Sequence, residues 1–428
     1  MYLQTEDILD RFLSSKGVTT DSRSIAEGQI FFALKGDNFN GNKYAKDALN
    51  KGATYAVIDE PEFQDDGRFL LVDNVLETLQ DLARLHRRRF NIPVLGITGS
   101  NGKTTTKELL HEILDKKYNV LATKGNLNNH IGVPLTLLNL NPEHEFAIIE
   151  MGANKVGDIA ELCSIAEPNY GIITNIGKAH IGPFGGFEGV IRAKSELYQY
   201  LITHKGTAFI NADDPILFNM SKRFSNPILY RTEKSIFEPI NNSDEDNLSY
   251  TFDNNIHKTN LIGSYNFKNI SAGVCIGQHF GINPDDIFEA IDNYTPNNNR
   301  SQLITIDSNK VYLDAYNANP SSMEAAIQNL GKQNNSHTVA ILGDMLELGK
   351  YSENEHNTIK DLLQSYKIDE GYLCGPEFHK FVKPSDNIMI FDSKDELEAY
   401  LKTKKFENSI ILIKASRGIG LETLINVL

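Results

Sequence analysis

No apolar run in the sequence approaches the roughly 20 residues that a bilayer-spanning helix needs, so no membrane insertion is expected. The opening stretch MYLQTEDILDRF is acidic and amphipathic, unlike the basic-then-apolar pattern of a secretory leader. Cysteine is scarce, and Cys163, Cys275 and Cys374 lie far apart without metal-ligand spacing. They read as reduced, mostly buried thiols of a cytoplasmic protein. No repeat of solenoid period is present. No G-x-G-x-x-G follows a strand, and the fragment GIG at 418–420 is too short to stand for one, so no dinucleotide is expected. Positive charge is the minority sign, 42 lysines and arginines against 56 carboxylates, for a net charge of −14. That balance argues against a general nucleic-acid binder. The one dense basic run, HRRRF at 86–90, reads as the end of a solvated helix.

What is present is alternation of strand-like and helix-like segments. A chain of 428 residues suggests two to four domains. In residues 1–90 the strand-like QIFFALK, TYAVID and FLLVD interleave with the helices YAKDALNKG and VLETLQDLARLHRRR, a small α/β domain. Residues 91–299 repeat an apolar strand followed by a polar turn. FAII ends at Glu150, YGIIT leads into NIGKAHIG, and TAFI leads into NADDP. Ligands of a doubly wound sheet bind at the carboxyl ends of its strands, so Lys103, Glu150, His180 and Asp213 are expected on one edge. NNSDEDN (241–247) reads as a surface loop of this domain. Residues 300–428 alternate again, through KVYLDAYNANP, SSMEAAIQNL, HTVAILGDM, ENEHNTIKDLLQSY, KDELEAYLK and SIILIKASRG, in a Rossmann-like order. The expected fold is α/β in three domains with mostly parallel sheets.

The sharpest local signal is GITGSNGKTTTKELL, from Gly96 to Leu110. IPVLGIT before the glycines suits a buried strand. After them, Leu109, Leu110, Ile113 and Leu114 fall on one helical face. Gly99 and Gly102 let the backbone turn and approach an anion, and the free N–H groups of the new helix point at it. Lys103 adds a charge for β- and γ-phosphates, and the Thr104 hydroxyl is placed to ligate Mg²⁺. The strict phosphate-loop pattern asks for glycine where Ile97 stands, so the usable core is the shorter G-S-N-G-K-T.

Other candidates have bland readings beside the functional ones. Glu150, directly after a buried-type strand, can hold the Mg²⁺ that Thr104 touches or can be a strand-end carboxylate in water. His180 lies in a glycine-dense turn, as a ligand or as a satisfied polar residue. Lys194 lies in the apparent helix IRAKSELYQYL, where a surface lysine paired with a neighbouring glutamate is the ordinary reading. The asparagines of NLNNHIGVP and DAYNANP supply neutral donors and acceptors for amides, sugars or peptides, or serve as turn formers.

In order along the chain stand DSR (21–23), FFALKGDNFNGNKY (31–44), TGSNGKTTTKE (98–108), NLNNHIGVP (126–134), EMGAN (150–154), TNIGKAHI (174–181), RAKSE (192–196), GSYNFKNISA (263–272), DAYNANPSSM (314–323), LGDMLELG (342–349) and KASRG (414–418). This set resembles the Mur ligases, the ATP-dependent amide ligases of peptidoglycan precursor assembly, over essentially the whole chain. YNANP with LGDMLELG resembles the member that joins D-alanyl-D-alanine to UDP-N-acetylmuramoyl-tripeptide.

The resemblance implies a UDP-substrate domain (1–90), an ATPase domain (91–299) and a C-terminal Rossmann-like domain (300–428). It implies ATP and two Mg²⁺ ions, small-molecule substrates only, a monomer, and a cytoplasmic location. Gly99, Ser100, Asn101, Gly102, Lys103, Thr104 and Thr105 would hold the ATP phosphates, Thr104 and Glu150 the first metal, and His180 with a carbamylated Lys194 the second. Asn266 and Asn269 match adenine-side positions, Arg300 a phosphate-contacting arginine and Asp314 a ribose-binding aspartate. Ser22, Arg23, Lys35, Gly36 and Asn40, with Asn128 and Asn129, would face the UDP-substrate. Tyr316, Asn317, Asn319, Lys414, Ser416 and Arg417 would line the dipeptide's side. Tyr265 stands where the family often has His, and Ala415 where it commonly has Gly. From the residues alone, a ligase adding a single amino acid, a phosphate-loop kinase and a nucleotide-switched binding module are the alternatives.

Overall fold

The computed structural model describes residues 2–232, 238–240, 247–252, 255–296, 302–333 and 336–428. The first sheet is small and wholly parallel, in the order Val18–Thr19, Ile30–Phe32, Tyr55–Ile58, Phe69–Leu71. Its inner strand Ile30–Phe32 and the strand Phe69–Leu71 are wholly buried, Tyr55–Ile58 is buried from Ala56 on, and the edge strand Val18–Thr19 is half-buried. Helix Val75–Arg87 closes it, started by Asn74, whose Oδ1 accepts from the amides of Leu76 at 2.9 Å and Glu77 at 3.1 Å.

The central sheet has six parallel strands in the order Ile228–Tyr230, Thr207–Asn211, Tyr170–Ile173, Val94–Thr98, Phe146–Glu150, Val120–Ala122. Val94–Thr98 sits mid-sheet. The chain leaves it toward one edge and later returns to its other side, so the loop after Thr98 opens at a topological switch point. Helix Lys103–Leu114 packs Leu109, Leu110, Ile113 and Leu114 fully out of water, as the one-face pattern required. Each such side chain contributes about 1.5–3 kcal/mol of burial.

A three-stranded antiparallel sheet, Glu238–Ile240, Asn247–Phe252 and Asn255–Ile262, joins this region and was not expected. Tyr250 anchors it, its hydroxyl donating to Asp292 Oδ1 at 3.2 Å on helix Pro284–Asn293. Residues 241–246 of NNSDEDN lie outside the described residues.

The third sheet runs Gln302–Ile306, Asn309–Asp314, Ser409–Lys414, His337–Gly343, Glu370–Cys374, Ile388–Phe391. Its first pair is antiparallel and the rest parallel. Cys163 and Cys374 are buried and Cys275 is partly so, all three as free thiols.

The run HRRRF corrects its sequence reading. His86 and Arg87 are buried, not solvated. The Arg87 guanidinium donates to Ala166 O at 3.2 Å, Phe90 O at 2.8 Å and Glu167 O at 3.3 Å, which caps the carbonyl end of helix Asp158–Ala166. Only Arg88, bonded to the Glu167 carboxylate, and Arg89 behave as surface groups.

Candidate active site

The phosphate-type loop is shaped by contacts that only glycine permits. Gly99 has φ +150° and Gly102 φ +77°. A Cβ on Gly99 would lie 2.0 Å from Thr174 Oγ1, and one on Gly102 would lie 2.7 Å from Asn269 Oδ1. The loop is tied to the turn after strand Tyr170–Ile173. Ser100 Oγ donates to Gly177 O at 2.9 Å, the Asn101 amide to Asn175 Oδ1 at 3.0 Å, and Thr174 Oγ1 to Asn101 O at 2.6 Å. Lys103 Nζ curls over the loop and donates to Gly99 O at 2.7 Å.

Strand register brings Ile97 opposite Glu150, which places Glu150 beside the first turn of helix Lys103–Leu114. Thr104 Oγ1 donates to Glu150 Oε2 at 3.0 Å, and Asn128 Nδ2 donates to Glu150 Oε1 at 2.8 Å. Glu150 is buried, with 2 % of its surface exposed, so it is not the water-exposed strand-end carboxylate of the bland reading. The Thr104 hydroxyl and the Glu150 carboxylate are oxygen donors of the hard kind that Mg²⁺ takes, and the Asn128 amide orients the carboxylate.

Lys194 departs most from its ordinary reading. It is buried within helix Phe187–Thr203, its Nζ lying 5.6 Å from the centre of the Phe184 ring. Desolvation, helped by the nearby Lys103 charge, lowers its pKa to about 7. His180 sits at φ +55°, and its Nδ1 meets the carboxylate of Glu347, which itself has φ +64°. Left-handed backbone at two residues that are not glycine costs about 1–3 kcal/mol each. The His180 bond holds the Glu347 carboxyl below its usual range.

The third sheet forms the opposite wall. Lys414, buried at the end of its strand, bonds the Asp314 carboxylate and donates to Asn317 O at 3.2 Å. Asn319 caps helix Pro320–Leu330 and donates through Nδ2 to Asn101 Oδ1 at 2.7 Å, so the two walls touch at the phosphate loop. Ser416 Oγ accepts from the Leu346 amide at 3.1 Å, and exposed Arg417 lies 5.4 Å from the Tyr316 ring centre.

One cavity of about 540 Å³ collects most of the expected residues. Ser100 to Thr105, Asn128, Glu150, His180 and Lys194 line it from the central sheet. Asn266 and Asn269 line it from helix Phe267–His279 and its preceding turn, and Asp314, Tyr316, Asn317 and Lys414 from the third sheet. Gly99 and Asn319 support it from behind, and Ser416 and Arg417 stand outside its lining. A neighbouring cleft of about 620 Å³ takes in Asn128, Asn129 and Lys155. Arg300 lies outside the described residues.

Ser22, Arg23, Lys35, Gly36 and Asn40 are not brought to this cavity. Arg23 is bonded to Asp21, Lys35 to Asp59 at 3.0 Å, and Asn40 Nδ2 to Glu60 at 2.9 Å within the first domain. Asp213 follows the carboxyl end of strand Thr207–Asn211, on the expected edge, but does not line the cavity. It is exposed and paired with Arg231, while Asp214 lines the cavity and caps helix Pro215–Ser221. The dipeptide Asp214-Pro215 carried that signal, since proline at the first helical position marks the residue before it as the cap. Lys268, Ser321 and Ser322 line the cavity without having been singled out. Tyr265 lines it too, its ring lying 2.3 Å from where a Gly263 Cβ would be. Ala415 fits because Gly343 faces it, where a Cβ would lie 2.7 Å from the alanine methyl.

Residues 14–87 match the Mur ligase family catalytic domain, 97–277 the Mur ligase middle domain, and 299–417 the Mur ligase glutamate ligase domain. The UDP-N-acetylmuramoyl-tripeptide–D-alanyl-D-alanine ligase of Bacillus subtilis is 33% identical over 422 residues, covering 96% of this chain and 92% of that protein. The crystal structure of MurF from Acinetobacter baumannii superposes with a TM-score of 0.87 at 29% identity, covering 98% of this chain and 97% of the other. MurF ligase from Thermotoga maritima, in complex with ADP, gives 0.84 at 28% identity with 97% of each chain covered. With this fold, this cavity and these relatives, the chain belongs to the Mur ligase family.

Proposed function

We infer that the protein is an ATP-dependent ligase that joins D-alanyl-D-alanine to UDP-N-acetylmuramoyl-tripeptide in peptidoglycan precursor synthesis. The observation that carries this reading is the single cavity in which the phosphate loop, the Thr104–Glu150–Asn128 cluster and the buried Lys194 face Tyr316, Asn317 and Lys414. Energy input and an amide-rich second wall share one space, which suits activation of one substrate and capture of another.

An ionised carboxylate is a poor electrophile. The tripeptide's terminal carboxylate oxygen attacks the γ-phosphorus of ATP, the bond to the β-phosphate oxygen breaks, and ADP leaves. The dipeptide amine then attacks the acyl phosphate carbon, loses a proton, and expels inorganic phosphate. Lys103 would follow the transferred phosphoryl from its place on the loop, and the loop and helix amides would bind the remaining phosphates. Thr104 and Glu150 would hold a first Mg²⁺, and His180 with a carbamylated Lys194 a second. Bound there, the metals supply charge that offsets the crowding of carboxylate and triphosphate. Burial of Lys194 favours the neutral amine that carbamylation needs, and the carbamate is an oxygen ligand where an ammonium would be repelled. The acyl phosphate is water-sensitive, and the contact of the two walls at Asn101 and Asn319 encloses it.

On this reading residues 1–90 bind the UDP-substrate, 91–299 the ATP, and 300–428 the dipeptide. No helix among the described residues is long and apolar enough to cross a membrane. We place the protein in the cytoplasm as a monomer. The test is phosphate release from ATP with UDP-muramoyl-tripeptide present, with and without D-alanyl-D-alanine. Sustained release that needs the dipeptide is expected, and release that ignores it would overturn the assignment.

A further inference from the structure

The glycine-dense segment 174–186 bonds to the phosphate loop at one end and to the third sheet's domain at the other. Its near end holds Ser100 and Asn101 through Gly177 and Thr174. Its far end meets Glu347 twice. His180 Nδ1 bonds the Glu347 carboxylate, and the Gly182 amide donates to Glu347 O at 3.1 Å. The backbones are so close that a Cβ on Gly182 would lie 2.8 Å from that carbonyl oxygen. Glu347 itself rides on a braced loop. The Met345 amide donates to His356 Nε2 at 3.2 Å, the Leu346 amide to Ser416 Oγ at 3.1 Å, and the buried Asp344 carboxylate accepts from the Glu377 and Phe378 amides at 2.8 and 2.9 Å.

We propose that Glu347 is a positioning residue for the ligation assigned above: it fixes the His180 ring and makes the segment 174–186, and through it the phosphate loop, depend on correct seating of the third sheet's domain. The proposal rests on that functional reading for its kinetic half only. A carboxylate can only accept, so the His180–Glu347 bond puts a proton on Nδ1 and fixes which ring nitrogen, Nε2, is left for other partners. Both side chains are partly open to solvent, at 27% for His180 and 48% for Glu347, so the pair adds little to stability. Its use is orientation.

The test compares Glu347→Ala and Glu347→Gln in the full-length protein, by ligation kinetics and by nitrogen NMR of histidine-labelled protein without substrates. Glu347→Ala is expected to lower kcat by about 10-fold, with KM for ATP moved by less than about twofold. Glu347→Gln recovers most of the rate, because its amide oxygen still accepts from Nδ1. In the NMR spectrum the His180 signal of Glu347→Ala loses the hydrogen-bonded Nδ1–H signature that the wild type shows. Wild-type kcat in Glu347→Ala, a loss carried wholly by KM for ATP, or an unchanged His180 signal would each overturn the proposal. Should Glu347→Ala fail to fold, Glu347→Asp, one methylene too short to reach, replaces it in both measurements with the same expectations. If the wild type forms no amide with these substrates, the functional reading fails, and the NMR comparison still decides whether Glu347 sets the His180 ring.

Discussion

Lys414 and Asp314 stand in register on adjacent parallel strands, and the ammonium of the first is bonded to the carboxylate of the second. The lysine side chain is 2% exposed and the aspartate 19%. Breaking a pair like this strands a buried charge, which costs about 3 kcal/mol, whereas replacing the charge with an apolar group of similar volume is close to neutral. Asp314→Asn should therefore lower the urea unfolding midpoint, and adding Lys414→Met should restore most of it. A single variant with an unchanged midpoint would show that the pair does not hold this strand end together.

Lys103→Ala should abolish turnover and leave the fold intact. Lys103 contributes a hydrogen bond to a loop carbonyl, at Gly99 O, so little packing is lost. Removing one charge-stabilising donor from a phosphoryl-transfer site costs roughly 100-fold or more in rate. Phosphate release and a thermal melt measure the two halves, and near-wild-type turnover would remove Lys103 from the proposed phosphate site.

Glu150→Ala should raise the magnesium concentration needed for half-maximal rate. The carboxylate is held by Thr104 and Asn128 and faces the cavity. A magnesium titration that superposes on the wild type would take Glu150 out of the metal's neighbourhood.

Lys194 gives a pH signature. Its pKa falls from 10.5 to about 7 in the fold, chiefly through desolvation. Between those values the unfolded chain binds a proton that the folded chain lacks, so this group's contribution to stability becomes more favourable as pH rises through that window, and it is flat below it. In carbon-dioxide-free buffer, the stability of wild type relative to Lys194→Met should improve from about pH 7 to about pH 9. An equal difference at both values would return Lys194 to an ordinary helix lysine. In activity assays Lys194→Ala should be dead and partly rescued by small carboxylates.

The parallel sheets and the phosphate loop were legible because short apolar runs, glycine punctuation and helical periodicity coincide around Val94–Leu114. The antiparallel strand Asn255–Ile262 was not, since five of its eight residues are polar and burial is confined to Thr259, Leu261 and Ile262. Arg87 was misread because charge predicts exposure only where no carbonyl end of a helix lies in reach, and Ala166 is 79 residues away in sequence. The same distance problem hid Glu347, Lys178 and Glu355. The Lys178 ammonium bonds Glu355 Oε1 at 2.7 Å across a gap of 177 residues, and no local pattern encodes that pairing. Asp214 was legible in principle from Pro215, and was passed over for its neighbour.

The most direct test of the account is the mass of the product. Incubation with ATP, magnesium, UDP-N-acetylmuramoyl-tripeptide and D-alanyl-D-alanine should give a UDP-muramoyl species heavier by one dipeptide less one water, with ADP and phosphate in equal amounts. A gain of a single alanine, a stable phosphorylated product, or ATP consumed with no new amide would contradict it.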